Sequence, residues 1–565
     1  MNTDSLLDQL RERKTAARTA RLLRQAARHR FRDAQSLIRF HEILLFLRAY
    51  PASQEIADLS EEILSGFAAR VKLLGEDPTE FEESEVSGIV GTHLTAVFSY
   101  HVARRLACRH GDAVTVDWER HDEADRLIAT LPHLVPLLDD DAMVEAVVPW
   151  KDWLRASSGS ESRDLPWLLA QVECMEPTAR LQADRYSSLR IPLRWDFGDS
   201  GATRTHMRRP SDRIFFHDGP FIKSAEVSRA EIPALEPLPV RKLNPAEGRQ
   251  MLDLALDTSA ARFRELHGFT YGDPRHVCEV DAGRGVLFYF SGALSEWRLP
   301  LRAYHAATIW KNGVPIGYFE ALSLFERMEA GFNLYYTFRG GETAWLYRQL
   351  LKMFHQLLGV TCIAIDPYQI GFDNEEAIQS GAFWFYRKLG FRSTDPAMRD
   401  LTGREEKRVA ARPGYRSSPA TLRRLARHSM VYEFPGTETG DWDRFHPRNL
   451  GLAAARAMAD HFESDLVKMR GLAVRAVARM SGFAIETWTE DERRVLAEWA
   501  PLLALVRGLE RWPEEEKHLL GQILRAKAGA EEADCLRLMQ WHPRLRAEFI
   551  RLGAPSNTDT ISGKP

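Results

Sequence analysis

Apolar residues recur at three- and four-residue steps over the first part of the chain. Leu37, Phe40, Leu44 and Leu47 follow this spacing, and Pro51 ends the segment. Such a spacing puts the apolar side chains on one face of a helix, and proline disfavours its continuation. The same spacing of apolar residues continues from residue 5 to about 180, so the pattern predicts an α-helical domain over residues 1–185.

The helical pattern returns near the carboxyl end. Met458, Phe462, Leu466 and Met469 form one apolar stripe, and later segments carry Leu496, Trp499 and Leu503. We therefore expect a C-terminal α-helical domain over residues 437–552. The last segment, 553–565, is polar and small, which predicts a disordered tail.

The middle of the chain changes from irregular to strand-rich. Residues 186–245 consist of short alternating runs with Gly, Pro and Asp, which predicts an irregular or β connecting region. After a helical stretch from 246, strands are predicted at 285–290, 303–310, 314–325 and 331–338. Asn312 and Gly313 separate two of these runs and predict a hairpin, because both residues tolerate positive φ.

A helix, a strand and a second helix follow the last of these strands. Leu346, Leu350, Phe354 and Leu357 share a helical face, and Gly359 suits the C-terminal cap. Residues 360–366, "VTCIAID", then read as a short buried strand. The order predicts an α/β (α+β) unit over 246–436, in which flanking helices cover a mixed, mostly antiparallel sheet between the two helical regions.

Composition and charge exclude several classes of protein. The 565 residues are 44% hydrophobic and 27% charged, which is ordinary globular usage, and the formal net charge of −3 gives no global attraction to nucleic acid or to anionic membranes. No uncharged run approaches the length needed to cross a bilayer, so we expect no membrane partner. Five scattered cysteines form no metal-binding pattern, which favours reduced thiols in a cytoplasmic protein without a metal site.

Two local basic segments remain compatible with an anionic partner such as RNA. One is predicted on the first helix, and the other is the segment 393–429. Each also fits a solvated helical surface, and both interpretations stay open. The basic residues of the first helix are Arg11, Lys14, Arg18, Arg21, Arg28 and Arg32.

Candidate chemistry begins at "YYTFRGGETAW". A strand that runs through Gly340 and Gly341 into a helix would turn several backbone N–H groups and the positive end of the helix dipole towards one point. Arg339 would add a charged donor, so the segment fits a phosphate cradle. A plain Gly-Gly connection explains the same residues.

The stretch "SGAFWFYRKLGF" also has two interpretations. If Gly390 takes the left-handed conformation after a helix, Phe391 contacts Tyr386 one turn back, as in a Schellman cap. Alternatively, the Tyr386 hydroxyl projects into a cleft and donates a proton to a leaving group of high pKa.

Taken together, the two stretches resemble the GNAT superfamily of acyl-CoA-dependent N-acyltransferases over about residues 246–434. The family's pyrophosphate arm reads Q/R-x-x-G-x-G/A, and residues 339–344 match it, with Glu342 where the family has glycine. Its later pattern, Asn-x-x-Ala-x-x-x-Tyr ending in Gly-Phe, finds Tyr386 and Gly390, with Gln379 where Asn is usual. The resemblance implies acetyl-CoA or another acyl-CoA as cosubstrate. It assigns cofactor binding to Tyr336, Thr337, Phe338, Arg339, Gly340, Gly341, Glu342, Thr343 and Ala344.

The resemblance also implies a direct transfer in a ternary complex. The pantetheine arm would pair with residues 334–338, where that strand diverges from the strand at 360–366. An amine would attack the thioester, and Tyr386 would protonate the departing thiolate. We expect Glu320 to act as the base; Glu326, which a regular strand would put on the same face, and His305 are further candidates. Both glutamates equally fit plain surface carboxylates, and His305 fits a structural position as well.

Two other functions fit the same sequence. The domain could be a GNAT-like binding or scaffold protein that has lost its chemistry, or an RNA-associated protein that uses its basic helix. The basic segment 393–429 could also cover the cofactor or an anionic substrate. The acceptor amine is not identified by the sequence.

Overall fold

The computed structural model describes residues 3–12, 15–75, 79–135, 149–210, 213–227 and 236–555. Within these residues the protein is a mixed α/β structure with one large, mostly antiparallel sheet, as the sequence predicts. One continuous hydrophobic core joins the N-terminal helices, this sheet and the C-terminal helices. A separate core forms around a second, smaller sheet.

The N-terminal part is largely helical. Leu37, Phe40 and Leu44 are buried, as the pattern predicts, and Asp33 caps their helix by accepting a hydrogen bond from the Ser36 N–H at 2.7 Å. The helices are Thr3–Arg11, Ala16–Ala27, Ala34–Ala49, Gln54–Ser65, Phe67–Lys72, Tyr100–His110, Ala124–Thr130, Trp150–Ser158, Asp164–Met175 and Ala179–Leu189.

The basic stripe predicted for a single first helix is divided. Arg11 ends the helix Thr3–Arg11, and Arg18 and Arg21 belong to the next helix, Ala16–Ala27. Arg28 and Arg32 follow that second helix, and Lys14 lies outside the described residues. The single continuous stripe was therefore a wrong prediction.

A three-stranded antiparallel sheet interrupts the helices and was not predicted. It consists of β1 (His93–Val97), β2 (Val114–Val116) and β3 (Pro192–Asp196), in the order β1-β3-β2. Its strands are three to five residues long, too short for a clear alternation of polar and apolar positions. The sheet joins residues on both sides of position 185.

The large sheet has nine strands among the described residues. Their order is β11-β12-β10-β9-β8-β7-β6-β5-β4, and of the neighbouring pairs only β9 and β10 are parallel. The strands are β4 (Val240–Lys242), β5 (Gly272–Gly283), β6 (Val286–Ala293), β7 (Ala303–Lys311), β8 (Val314–Leu324), β9 (Arg327–Leu334), β10 (Cys362–Ile365), β11 (Arg392–Ser393) and β12 (Met430–Glu433).

Two predicted turns in this region are confirmed. Asn312 and Gly313 join β7 to β8 with φ of 47° and 76°. The helix Thr343–Leu358 connects β9 to β10, and Gly359 ends it in the left-handed conformation, at φ 71°. The helices Pro245–Ala260 and His267–Thr270 precede β5.

Two predicted strand positions are corrected. The strand predicted at 331–338 is β9, which ends at Leu334; Tyr336–Phe338 forms a 3₁₀ turn instead. Glu326 lies in the turn between β8 and β9, after Phe325 with φ of 54°, and so it is not on a strand with Glu320.

Helices cover the remaining part of the chain. The predicted C-terminal helices are present, but the stripe through Leu466 is broken because Glu463 and Ser464 have positive φ and Leu466 is 45% exposed. Of the predicted disordered tail, residues 556–565 lie outside the described residues. Among the residues that are described, no helix is long and apolar enough to cross a membrane. The helices after β10 are Pro367–Ile370, Glu375–Ser380, Ala382–Lys388, Pro396–Ala411, Pro419–Leu425, Pro447–Phe462, Leu466–Ser481, Glu490–Leu503, Glu514–Ala528, Glu532–Gln540 and Pro543–Gly553.

Candidate active site

The two parallel strands of the large sheet diverge, and a gap opens between them. β9 and β10 pair only between Arg327–Glu329 and Cys362–Ala364. β10 ends at Ile365, whereas β9 continues to Leu334 alongside β8. The second edge of β9, from Ala330 to Leu334, therefore faces the gap.

Two side chains bind this edge of β9. Gln369 Nε2 donates to the Ala330 carbonyl at 3.0 Å, and Arg339 Nε donates to the Leu334 carbonyl at 3.2 Å. Both carbonyls thus point away from β8. Because alternate residues of a strand present their backbone groups to the same side, the N–H and C=O of Phe332 point into the gap between them. Because the Ala330 and Leu334 carbonyls already accept hydrogen bonds, the Phe332 groups are the part of this edge with which an extended ligand could pair.

Tyr386 reaches the same gap through Gln369. The Tyr386 hydroxyl donates to Gln369 Oε1 at 3.2 Å, and burial raises the pKa of this tyrosine, so the phenol stays protonated. The predicted Schellman cap is also present: the Phe391 N–H donates to the Tyr386 carbonyl at 3.2 Å, and Gly390 has φ of 105°. The cap and the hydroxyl at the gap are compatible, so the two interpretations of this stretch do not exclude each other.

Glu320 lies beside the gap on β8. It pairs with Gly331 of β9, and its carboxylate accepts a hydrogen bond from the Tyr304 hydroxyl. A Cβ atom at Gly331 would lie 3.3 Å from Gln369 Nε2 and 3.7 Å from Glu320 Cβ. Burial raises the pKa of Glu320, although the hydrogen bond from Tyr304 opposes the shift. Glu320 and Gln369, with Tyr386 behind it, therefore converge on Gly331.

The two other candidate bases lie elsewhere. His305 points to the opposite face of the sheet from Glu320, since it neighbours Ala306, the β7 partner of Glu320. Its ring stacks on Phe290 at 5.0 Å, and burial lowers its pKa to about 4. Glu326 Oε1 accepts hydrogen bonds from Trp442 Nε1 and Arg546 Nε, both at 2.7 Å. These contacts give His305 and Glu326 structural roles.

Arg339 lies between the gap and the start of the helix Thr343–Leu358. Its Nη1 contacts Glu376 Oε1 at 2.5 Å, and its guanidinium lies 6.0 Å from the centre of the exposed Tyr336 ring. Thr343 Oγ1 donates to the Arg339 carbonyl at 3.2 Å. The first N–H groups of the helix have no acceptor within it, so they and Arg339 are the donors available to an anion.

Glu342 does not face these donors. Its side chain is 2% exposed and accepts hydrogen bonds from Arg284 Nη2 at 2.6 Å, from Arg284 Nε at 3.1 Å and from the Ile222 N–H at 3.0 Å. Lys311 lies nearby, and its pKa is lowered to about 7 chiefly by burial, while Glu342 raises it and Arg284 lowers it. The carboxylate that interrupts the glycine pattern is thus compensated by Arg284 inside the protein.

Gly341 is required by packing. A Cβ atom at this position would lie 2.7 Å from the Tyr50 ring and hydroxyl, whereas one at Gly340 would have only Phe46, at 4.0 Å, within contact distance. Tyr50 is buried, and its hydroxyl has no hydrogen-bond partner among the described residues. The helix Ala34–Ala49 therefore packs closely on the start of the predicted cofactor arm.

A cavity of about 1130 Å³ lies between the N-terminal helices and this arm. Of the nine predicted cofactor-binding residues, Tyr336, Thr337, Arg339 and Gly340 line it, whereas Phe338 and Ala344 are buried in the core. Thr337 donates to Glu42, which pairs with Arg204 at 2.6 Å. The rest of the lining mixes apolar and aromatic side chains with charged ones. The apolar and aromatic side chains include Ile38, Ile43, Phe46, Leu47, Tyr50 and Phe221, and the charged ones include Asp4, Arg11, Glu12, Arg39, Glu42 and Asp218.

No pattern in the sequence points to Gln369 or Tyr50. Gln369 lies in the short helix Pro367–Ile370, and Tyr50 ends an N-terminal helix some 290 residues before the arm it contacts, so no local pattern connects either residue with the site. Within the described ranges no cluster of His, Cys, Asp and Glu is arranged to hold a metal ion. No protein-family model, no curated protein and no solved structure matches this chain.

Proposed function

We propose that the protein is an acyl-CoA-dependent N-acyltransferase that transfers an acyl group, such as acetyl, to an amine. The observation that carries the proposal is the gap between β9 and β10, where the Phe332 backbone groups, Tyr386 and Glu320 meet around Gly331. The resemblance of residues 246–434 to the GNAT superfamily implies that the cofactor binds in this same gap. The resemblance also implies that pantetheine pairs with residues 334–338. Since Tyr336–Phe338 is a turn, we place this pairing on the β9 edge at Ala330–Leu334 instead.

In this proposal, residues around Gly331 handle the two protons of the reaction. Glu320, ionised, takes a proton from the attacking amine, directly or through water. The amine nitrogen forms a bond with the thioester carbonyl carbon, and a backbone N–H of β9 stabilises the developing oxyanion. When the C–S bond breaks, the Tyr386 hydroxyl gives its proton to the thiolate. Burial raises the pKa of Tyr386, so the phenol carries its proton when the thiolate forms.

The start of the helix Thr343–Leu358 supports the binding of a diphosphate. Arg339 would exchange Glu376 for the phosphate oxygens, which are better partners for a guanidinium than a carboxylate that is 60% exposed. Glu342 does not repel an anion there, because Arg284 compensates its charge. The adjoining cavity of about 1130 Å³ has room for the part of the cosubstrate beyond the diphosphate.

Calorimetric titration with CoA and acetyl-CoA tests the proposal. We expect saturable binding to the wild-type protein and a loss of at least about tenfold in affinity for Arg339→Glu, which puts a negative charge beside the diphosphate. Arg423→Glu is the matched control, since Arg423 pairs with Glu375 next to Glu376 but does not line the gap or the cavity. No binding at millimolar ligand would contradict the proposal.

Catalysis needs a second measurement. With an amine substrate found by screening, Tyr386→Phe should lower kcat by about 10²-fold or more while CoA affinity changes little, because the phenol donates its proton only as the thiolate forms. Binding of CoA with no turnover on any amine would instead favour the scaffold hypothesis, which the pairing of Arg339 with Glu376 in the free protein also fits.

A further inference from the structure

The basic segment after β11 forms a surface of its own. Residues 396–429 contain nine Lys and Arg against three Asp and Glu, whereas the whole chain has a net charge of −3. They fold into the helices Pro396–Ala411 and Pro419–Leu425 and the loop between them. Arg387 binds Glu406 at 2.7 Å and Arg423 binds Glu375 at 2.9 Å, which holds both helices against the region of Tyr386. A strongly positive patch thus stands out on a nearly neutral protein.

Most of these cations have no partner among the residues that the structure describes. Arg399, Arg408 and Arg423 pair with Asp443, Glu405 and Glu375. The other six make no side-chain hydrogen bond or ion pair within the part of the chain that the structure describes, and all six are exposed. They are Arg404, Lys407, Arg412, Arg416, Arg424 and Arg427.

The acidic side chain at the centre of the segment is withdrawn from the surface. Glu405 is fully buried and accepts hydrogen bonds from the Tyr415 hydroxyl at 3.0 Å and from the Ser417 hydroxyl at 2.6 Å. These bonds fold the loop back onto the helix Pro396–Ala411. The result is a groove of about 520 Å³ lined by Lys407, Arg408, Ala411, Arg412 and Tyr415. Three cations and one aromatic ring line the groove, and the hydrogen bond to Glu405 positions the aromatic ring of Tyr415.

We propose that this surface binds the phosphate backbone of a nucleic acid. Arginine predominates, and its planar guanidinium matches phosphate oxygens in a bidentate manner. Tyr415 offers a ring on which a base can stack. The cations at 404, 407 and 408 lie on one face of their helix, so they can follow a chain of phosphates.

The composition of the patch disfavours other anionic partners. Val409, 44% exposed, is the one large apolar residue of 396–429 that is exposed. Binding to an anionic membrane by an amphipathic helix requires several apolar side chains that enter the bilayer. A protein interface usually has an apolar centre depleted of charge. A phosphate backbone requires neither, so the patch suits nucleic acid best.

The test is fluorescence anisotropy with labelled single strands of RNA and DNA of about 20 nucleotides, at salt from about 50 mM upwards. We compare the wild-type protein with Lys407→Glu/Arg412→Glu. The matched control is Arg18→Glu/Arg21→Glu, which changes the net charge equally at two exposed side chains of the N-terminal helix Ala16–Ala27. Thermal melting checks that both variants fold.

We expect the wild-type protein to bind, and we expect log Kd to rise linearly with the logarithm of the salt concentration. The groove variant should lose at least about tenfold in affinity, and its salt slope should fall by about 1 to 2, since each phosphate contact contributes about 0.7 to 0.9. The control should retain nearly all of the affinity. Equal binding of RNA and DNA supports recognition of phosphate alone, and a preference for RNA supports added contacts to the 2′-hydroxyl.

Three results would overturn the proposal. They are no binding at the lowest salt, an equal loss in both charge-reversal variants, and binding of a polyglutamate peptide or of anionic vesicles as tight as that of RNA. The proposal does not depend on acyltransferase activity, so it stands or falls independently of the CoA titration.

Discussion

Glu320 and Glu342 are both carboxylates near the proposed site that burial affects. Their hydrogen-bond partners differ, and this difference distinguishes their roles. Glu342 accepts two hydrogen bonds from Arg284, so its charge is compensated within the protein. Glu320 has only the neutral Tyr304 hydroxyl as a hydrogen-bond donor among the described residues, and burial raises its pKa. An ionised carboxylate without a cationic partner is the better proton acceptor, which favours Glu320 as the base.

The pH dependence of catalysis follows from this difference. Because the pKa of Glu320 is raised above its usual 4.5, activity should fall as the pH decreases through that raised value. Glu320→Gln should remove this acidic limb and lower kcat by about 10²-fold or more. The measurement is the pH profile of kcat/KM. Glu326→Gln is the control: it removes a partner of Arg546 and should retain the limb. An unchanged limb in Glu320→Gln would contradict the assignment of Glu320 as the base.

Two buried histidines make stability depend on pH. Burial lowers the pKa values of His41 and His305 to about 4, below the ordinary 6.5. Below pH 6.5 the unfolded chain binds protons that the folded protein does not, so stability is lost as the pH falls from 6.5 to 4, by up to about 3 kcal/mol per histidine.

His305→Phe should weaken this dependence, because a phenyl ring can keep the stacking on Phe290 and does not titrate. The measurement is the free energy of unfolding in urea at pH 7 and pH 5. We expect a smaller difference between the two pH values for the variant than for the wild type. An unchanged difference would show that His305 does not contribute.

At the scale of elements, the contact between the helix Ala34–Ala49 and the proposed cofactor arm, residues 339–344, depends on a glycine. Gly341→Ala would put a methyl group 2.7 Å from Tyr50, so the helix or the arm has to move. We expect a loss of about 1 to 3 kcal/mol in stability and a weaker affinity for CoA, as for other overpacked sites. Gly340→Ala is the matched control, because its Cβ atom would meet only Phe46, at 4.0 Å.

Urea unfolding and calorimetry with both variants provide the measurement. Since neither glycine has a positive φ, backbone strain does not distinguish them, and the difference between the variants reports the contact with Tyr50. If the two substitutions changed stability and CoA affinity equally, the packing around Tyr50 would accommodate the added methyl group without a loss of stability.

The sequence predicts those elements whose signals are local. The Asn312-Gly313 hairpin, the cap at Gly359 and the Schellman cap at Gly390 each depend on a few consecutive residues, and all three are confirmed. The turn at Tyr336–Phe338 was missed because its aromatic and β-branched residues are typical of strands. The role of Gln369 could not be predicted, since it depends on the divergence of β9 from β10.

At the scale of the whole molecule, the C-terminal helices are fastened to the sheet by buried polar groups. Glu532 accepts a hydrogen bond from the Tyr304 N–H at 3.1 Å and pairs with Lys527, which donates to the Arg302 carbonyl at 3.0 Å. Trp499 Nε1 donates to the Pro300 carbonyl at 2.7 Å. Tyr304 also binds Glu320, so these helices support the strand next to the proposed base.

This arrangement predicts strong coupling between Lys527 and Glu532. The two side chains are 3% and 1% exposed, so removing one partner leaves a buried charge uncompensated. We expect Lys527→Met and Glu532→Gln each to cost about 3 to 5 kcal/mol in stability, and the double variant to cost much less than their sum. Glu532→Gln keeps an acceptor for the Tyr304 N–H, so its effect reports the lost charge.

The matched surface pair is Asp491 and Arg494, which are 61% and 40% exposed and should couple by less than about 1 kcal/mol. The measurement is urea unfolding of both sets of variants, followed by fluorescence. Because one core joins the sheet to the C-terminal helices, the loss should appear in the transition of the sheet itself. If instead the C-terminal helices unfolded in a separate, earlier transition while the sheet kept its stability, the support that they give to the strand bearing Tyr304 would be dispensable.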